Sequence, residues 1–135
     1  MAEAGGAIGY SKRSRLDKLG VEPGMRVAVL GLRDPVFAAE LKTRVGAYAT
    51  RLPKAADMVL VFLDAKTALP KLARAWGAIA PNGSIWAVWP KGRKEFREDD
   101  IRAFGPAAGL VDVKVMAFPE TLSGLKLVIP LRDRK

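Results

Sequence analysis

The chain has 135 residues, half of them apolar and 27% charged, which is the composition of one globular domain and excludes a disordered segment. It contains no cysteine and no histidine, so disulfides, thiolate chemistry and histidine-based catalysis are excluded, and no cluster of carboxylates indicates a metal site. The net charge of +9 predicts attraction to anions, including weak binding to nucleic acid. The alternative is a solvated basic surface, because the cations are scattered along the chain.

Residues 1–10 are mostly small and rich in glycine and alanine, and we expect a frayed end there. They show no secretory signal, and the apolar runs of the chain are too short to cross a bilayer. We therefore expect a cytoplasmic protein with no membrane partner, built as a single domain over 11–131 with a charged tail at 132–135.

The first part of the domain predicts a helix over 12–19, a buried strand over 26–30 and a second helix. Asp34 suits the N-cap of that second helix, and Pro35 suits its first turn. Residues 47–51 allow a short strand, and the residues between it and the next strand are too few for the helical crossover of a complete doubly wound sheet.

The central unit predicts two buried strands joined by a helix, which makes a right-handed parallel crossover. The first strand covers 58–63, and helical spacing places Trp76 of the helix in the core. A turn at 81–83 leads into the second strand, where alternation puts Trp86 and Trp89 on opposite sides of the sheet.

A helix whose first turn holds Glu98 follows, and then two strands with alternating apolar residues. Alternation over 111–117 predicts one apolar face, and the short link to 125–131 predicts an antiparallel hairpin. The predicted fold class is α/β, a three-layer Rossmann-like sandwich whose mostly parallel sheet is closed by this C-terminal antiparallel hairpin.

This order of elements resembles the core of the class I S-adenosylmethionine-dependent methyltransferases, in a truncated form. The resemblance covers roughly 20–131, and its motifs specify fold more than chemistry. They lie at four strand entries: 23–31 (PGMRVAVLG), 56–60 (ADMVL), 79–84 (IAPNGS) and 109–111 (GLV).

The departures from that family fall on its cofactor site, so the resemblance implies a degenerate site. Gly31 is kept, but Val29 stands where the family has an acid, and Arg33 and Pro35 stand at later glycine positions. The family's second strand, whose terminal acid holds the ribose hydroxyls, has no counterpart. We therefore expect no cofactor, S-adenosylmethionine included.

The chain also resembles a family of small bacterial proteins of unknown function, which implies a truncated methyltransferase-like fold and no known activity. This resemblance spans nearly the whole chain. It lies in 9–10 (GY), 18–20 (KLG), 23–27 (PGMRV), 86–91 (WAVWPK) and 120–126 (ETLSGLK).

The ends of the parallel strands and the hairpin turn should meet at one edge of the sheet, where such folds bind ligands. Cations and hydroxyls gathered there suit an anion such as a phosphate or a carboxylate. The ligand-binding candidates are Gly31, Arg33, Lys66, Trp89, Lys91, Arg93, Lys94, Glu120, Thr121 and Ser123.

Less specific explanations exist for the same residues. Asp34, as a cap, would already satisfy the helix amides that an anion would use, and Trp89 suits core packing. The loop cations are either solvated or paired with the nearby acids Glu95, Glu98 and Glu120.

No arrangement of residues favours catalysis, and we assign no catalytic residue and no metal ligand. The first hypothesis is a non-enzymatic domain that binds an anionic small molecule or a partner at this edge. The alternatives are a divergent S-adenosylmethionine-dependent methyltransferase and a basic domain that binds nucleic acid through its charge.

Overall fold

A computed structural model describes residues 15–92, 94–118 and 121–134. The strands are β1 (Val27–Leu30), β2 (Ala56–Phe62), β3 (Ile79–Pro90), β4 (Val111–Phe118) and β5 (Leu122–Val128). The helices are α1 (Arg15–Leu19), α2 (Pro35–Val45), α3 (Pro70–Trp76) and α4 (Glu98–Ala107), with short 3-10 helices at Lys66–Ala68 and Leu131–Asp133. The predictions for 1–10 and for the beginning of the first helix lie outside the described residues.

The described strands form one sheet in the order β1-β2-β3-β5-β4. β1, β2 and β3 are mutually parallel, whereas β5 is antiparallel to both of its neighbours. Helices α1 and α2 pack on one face, and α3 and α4 pack on the other. The predicted three-layer Rossmann-like sandwich, closed by an antiparallel hairpin, is confirmed.

Each face of the sheet carries its own apolar core, and β3 contributes an indole to each. Trp86 is fully buried against Leu19 and Phe37 on the α1/α2 face, whereas Trp89 packs with Ile101 on the α3/α4 face. The predicted opposite orientation of the two indoles is confirmed. The Trp86 indole also donates a hydrogen bond of 3.1 Å to the Leu19 carbonyl, which ties α1 to the centre of the sheet.

A single bridge replaces the short strand predicted over 47–51. Ala49 donates to the Val27 carbonyl at 2.9 Å, and its own carbonyl accepts from the Val29 amide at 2.8 Å. The sequence leaves a strand open here, and none extends beyond the bridge because pairing with β1 ends after this one residue. The outer edge of β1 is therefore covered by one bridge, where a complete doubly wound sheet has a further strand.

The predicted turn at 81–83 was wrong in its boundaries, because β3 already begins at Ile79. Ala56 pairs with Ile79 and Met58 with Ser84, so the register between β2 and β3 is irregular at this point. The extra residues of β3 bulge out of the ladder, which keeps both flanking segments paired with β2.

Trp76 is not a core residue, contrary to the prediction from helical spacing. Its side chain is 42% exposed. α3 ends at Trp76, and the indole lies over Gly109, where a Cβ atom would come within 3.1 Å of the indole nitrogen. Because the helix is short, its last residue reaches beyond the sheet surface that Leu72 and Ala75 cover.

The valines of β4 do not form the single apolar face that alternation predicts. Asp112 pairs with Leu127 and Lys114 with Lys126, so Val113 is an extra residue in a β-bulge. The bulge shifts the alternation by one position, and Val111, Val113 and Val115 are 38%, 55% and 46% exposed. Bulges of this kind are common on edge strands, where they discourage pairing with another chain.

Within the described ranges, no helix combines the length and the apolar character needed to cross a lipid bilayer. The same part of the chain brings together no three carboxylate side chains that could hold a metal ion.

Candidate functional site

The strands β1, β2 and β3 all end at one edge of the sheet, and the hairpin turn reaches the same edge. β5 begins there because Pro90 pairs with Leu122 across the antiparallel ladder. The Lys91 amide then donates a hydrogen bond of 2.9 Å to the Thr121 carbonyl. This backbone bond fixes the loop after β3 against the start of β5.

Two pockets at this edge lie on opposite faces of the sheet, because consecutive residues of β5 point to opposite faces. The first, which we call the lysine pocket, has a volume of about 380 Å³ and lies on the α3/α4 face. Its lining residues are Trp89, Lys91, Gly92, Lys94, Phe96, Arg97, Glu98 and Ser123. The second, the glycine pocket, has a volume of about 520 Å³ and is lined by Gly31, Leu32, Arg33, Asp34, Phe62, Thr121 and Leu122.

The lysine pocket holds three cations, Lys91, Lys94 and Arg97. None of them forms an ion pair with a described residue. Glu98 is the carboxylate among the described lining residues, and it lies 2.6 Å from Nε of Arg102. The pocket therefore carries a net positive charge, because its three cations outnumber its one described carboxylate.

Arg102 of α4 contacts two acidic side chains beside the lysine pocket. It hydrogen-bonds Glu98 and also contacts Asp112 of β4. The hydrogen bond with Glu98 raises the pKa of Arg102, to which the charges of Glu98 and Asp112 add. The guanidinium stays protonated at every physiological pH, so it remains available to both carboxylates throughout that range.

Aromatic rings form the floor of the lysine pocket. Trp89 is 4% exposed and Phe96 is 1% exposed, so both rings belong mainly to the core of the α3/α4 face. Trp89 therefore does both things that the sequence allows: it packs in the core, and it lines the pocket. Ser123 adds a hydroxyl group from the hairpin.

Asp34 closes one side of the glycine pocket by capping α2, as its sequence context predicts. Its carboxylate accepts from the Phe37 amide at 3.0 Å and from the Arg15 guanidinium at 3.0 Å. The hydrogen bond from Phe37, and after it the contact with Arg15, lowers the pKa of Asp34. The amides at this helix terminus thus already have an internal anion.

Replacing Asp34 with alanine is expected to cost about 1–2 kcal/mol of unfolding free energy at neutral pH, because the helix loses its cap. The folded pKa of Asp34 lies below the unfolded value of about 3.9, so its charge stabilises the fold fully above that value. That contribution is lost as the pH falls through the folded pKa. Urea denaturation of both proteins should therefore show a gap that narrows below about pH 4. Glu95→Ala, which removes an exposed carboxylate, is the control and should stay within about 0.5 kcal/mol. A gap that is constant down to the lowest pH would contradict the role of the charge.

Seven of the ten residues predicted as ligand-binding candidates line one of the two pockets. The structure places Gly31, Arg33 and Thr121 in the glycine pocket, and Trp89, Lys91, Lys94 and Ser123 in the lysine pocket. Lys66 lines neither of them, and its Nζ is 3.7 Å from Asp100. The predictions for Arg93 and Glu120 lie outside the described residues.

Sequence reasoning missed Phe96 and Arg97 as members of the lysine pocket. Both precede the acidic first turn of α4, and the stretch was interpreted only as the start of a helix. The Arg97 amide donates to Asp100 at 2.8 Å, so the backbone of Arg97 serves the helix terminus and its side chain is left for the pocket.

Solved methyltransferases share the fold of this chain. A SAM-dependent methyltransferase from Aquifex aeolicus superimposes with a TM-score of 0.65 at 12% identity, over 84% of this chain and 87% of its own. The ribosomal protein L11 methylase from Lactobacillus delbrueckii subsp. bulgaricus gives a TM-score of 0.65 at 11% identity, over 85% of this chain and 74% of its own. The chain has the class I methyltransferase fold. The fold that both resemblances imply is therefore confirmed.

A TehB-like SAM-dependent methyltransferase from Corynebacterium glutamicum is a third such neighbour, with a TM-score of 0.57 at 11% identity over 85% of each chain. At these identities the similarity describes the fold and not the chemistry. No protein-family model matches the chain, and no curated protein matches its sequence.

The glycine pocket is the place to test for the cofactor that the fold implies. Arg33 offers a partner to the amino-acid carboxylate of S-adenosylmethionine, but the ribose hydroxyls need an acceptor. Among the described lining residues the carboxylate is Asp34, which is engaged by Phe37 and Arg15. The residues present do not fit the ribose of the cofactor, and we derive no chemistry through it.

Proposed function

We propose that this Rossmann-like domain binds a small anionic molecule in the lysine pocket and does not act as a methyltransferase. The observation that carries this proposal is the charge of the pocket. Lys91, Lys94 and Arg97 share it without an ion pair to any described residue, and they outnumber its one described carboxylate, Glu98.

The chemistry of the lining residues indicates the kind of ligand. Two ammonium groups and a guanidinium suit a carboxylate or a phosphate, and the planar guanidinium can bind either in a bidentate manner. Trp89 and Phe96 are nearly fully buried, so they shape the floor of the pocket and leave the recognition of the ligand to the charged groups. Ser123 has no histidine to activate it, since the chain contains none, and we assign its hydroxyl to hydrogen bonding with the anion.

Thermal unfolding in the presence of pyrophosphate or citrate tests the proposal. A ligand at a hundred times its dissociation constant adds about 2.7 kcal/mol to the stability, which should raise the melting temperature by roughly 10 °C in a domain of this size. Lys91→Ala combined with Lys94→Ala should abolish the shift. Arg26→Ala combined with Lys42→Ala removes two exposed cations away from the pocket and should preserve it. Equal shifts in both double variants, or no shift at millimolar anion, would overturn the proposal.

Calorimetry with S-adenosylmethionine addresses the alternative of a divergent methyltransferase. We expect no heat of binding at millimolar cofactor, because Asp34 is occupied and no other described carboxylate lines the glycine pocket. Binding that is lost in Arg33→Ala would instead support a cofactor role for the glycine pocket.

A further inference from the structure

A second group of cations lies at the same edge of the sheet, outside both pockets. Lys71 and Arg74 of α3 line a cavity of about 160 Å³ together with Leu30, Gly31 and Leu52. The two cations are three residues apart, so they lie on one face of the helix. This face of α3 overlooks the end of β1.

These cations continue the charge of the lysine pocket along the edge. Lys71 and Arg74 lie beside the end of β1, Lys66 follows β2, and the lysine pocket follows β3. The three strands are neighbours in the sheet, about 4.8 Å apart. The groups therefore succeed one another on the α3/α4 face. We call this row, Lys66, Lys71, Arg74, Lys91, Lys94 and Arg97, the cationic band.

Most of the band is not neutralised by the protein. Among the described residues, one member of the band forms an ion pair: Nζ of Lys66 lies 3.7 Å from Asp100, and the Lys66 side chain is mostly exposed. The opposite face differs, because Arg15 pairs with Asp34 and Glu40 there, and Arg44 pairs with Asp17. At this edge, the cations of the α3/α4 face are therefore less neutralised by described ion pairs than Arg15 and Arg44 of the opposite face.

We infer that the cationic band binds the sugar-phosphate backbone of nucleic acid. Its cations are distributed over three strand ends instead of converging on one point, which suits a chain of regularly spaced phosphates more than a single anion. Trp89 and Phe96 are too buried to stack on bases. The contact should therefore be independent of base sequence. The band includes the lysine pocket, so this inference rests in part on the proposed function.

Fluorescence anisotropy with labelled oligouridylate, single-stranded DNA and duplex DNA, at several salt concentrations, tests the inference. The logarithm of the association constant should fall linearly with the logarithm of salt, by about 0.7 per phosphate contacted for a single strand. Lys71→Ala with Arg74→Ala should weaken binding and reduce that slope by about 1.4. Arg26→Ala with Lys42→Ala, which removes the same two residue types elsewhere, should leave the slope unchanged. Comparing the affinities for the three nucleic acids shows whether the band binds single-stranded or duplex nucleic acid more tightly.

Two results would overturn the inference: an unchanged slope in the Lys71 and Arg74 variant, or competition by polyglutamate as strong as that by oligouridylate. The design also separates this inference from the proposed function. A normal pyrophosphate shift in the Lys71 and Arg74 variant, with the nucleic-acid slope reduced, supports both. A reduced slope without any pyrophosphate shift in the wild-type protein supports the band alone and overturns the small-anion pocket.

Discussion

Replacing Trp86 with alanine is expected to lower the free energy of unfolding by about 3–5 kcal/mol, the range for a large buried aromatic side chain. Trp86 is fully buried at the centre of the sheet. It packs in one cluster with Leu16 and Leu19 of α1 and Phe37 of α2. Since small domains have only about 5–15 kcal/mol in total, the substitution should remove a large part of the stability. Urea denaturation monitored by circular dichroism measures it.

A milder variant keeps the expectation testable if Trp86→Ala does not fold. Trp86→Phe retains most of the apolar area but removes the donor to the Leu19 carbonyl. An unsatisfied buried acceptor costs about 1–3 kcal/mol. Because Leu19 is the last residue of α1, hydrogen exchange should accelerate in α1 more than in β2.

Trp76→Ala is the matched control, since it removes the same side chain from an exposed position. With 42% of Trp76 in solvent, we expect a cost of about 1 kcal/mol or less. Equal losses for Trp76→Ala and Trp86→Ala would contradict the burial that the structure gives to these two residues.

The contrast between these tryptophans shows where the sequence pattern is informative. Alternation along β3 orients Trp86 and Trp89 correctly, because a residue in the middle of a strand has a fixed face. Helical spacing fails at Trp76, because it gives the direction of a side chain but not the extent of the sheet beneath it. The one-residue bulge at Val113 similarly reverses the faces that alternation predicts. The residue types around Val113 do not predict this bulge.

The candidate site shows the same division. Strand ends follow from hydrophobic runs, and the strand order is what the resemblance to the methyltransferases implies; together they bring the loops of the lysine pocket and the glycine pocket to one edge. The pairing of charges follows only in part: Glu98 and Arg102 are four residues apart on one helix, but the contact of Arg102 with Asp112 exists only once α4 has packed beside β4. The contribution of Lys71 and Arg74 to that edge also depends on the compressed segment before β2, which brings Leu52 next to α3.

Gly83→Ala is expected to destabilise the protein by about 1–3 kcal/mol, the range for overpacking in a rigid surrounding. A Cβ atom at this position would lie 2.7 Å from the Ala56 carbonyl oxygen and 3.1 Å from that of Ala80. Both contacts are with backbone, so no side-chain rotation relieves them. Ala56 and Gly83 flank the irregular register between β2 and β3, so the substitution acts on the junction that keeps the bulged segment within the sheet.

Gly77→Ala is the control for Gly83→Ala, because it also replaces a glycine with alanine but at a position with room for a Cβ atom. Gly77 has φ −74° and ψ −8°, a conformation open to any residue, and its Cβ would meet the Arg74 carbonyl at an ordinary 3.7 Å. Alanine there should be neutral or stabilise by about 0.4–1 kcal/mol, since it restricts the unfolded chain without straining the folded one. Guanidinium denaturation of both variants shows whether each substitution raises or lowers the free energy of unfolding. Equal stability of the Gly83→Ala and Gly77→Ala variants would contradict this expectation. It would mean that β2 and β3 can move apart at the bulge without cost, so that the short distance to Ala56 does not restrict the residue at position 83.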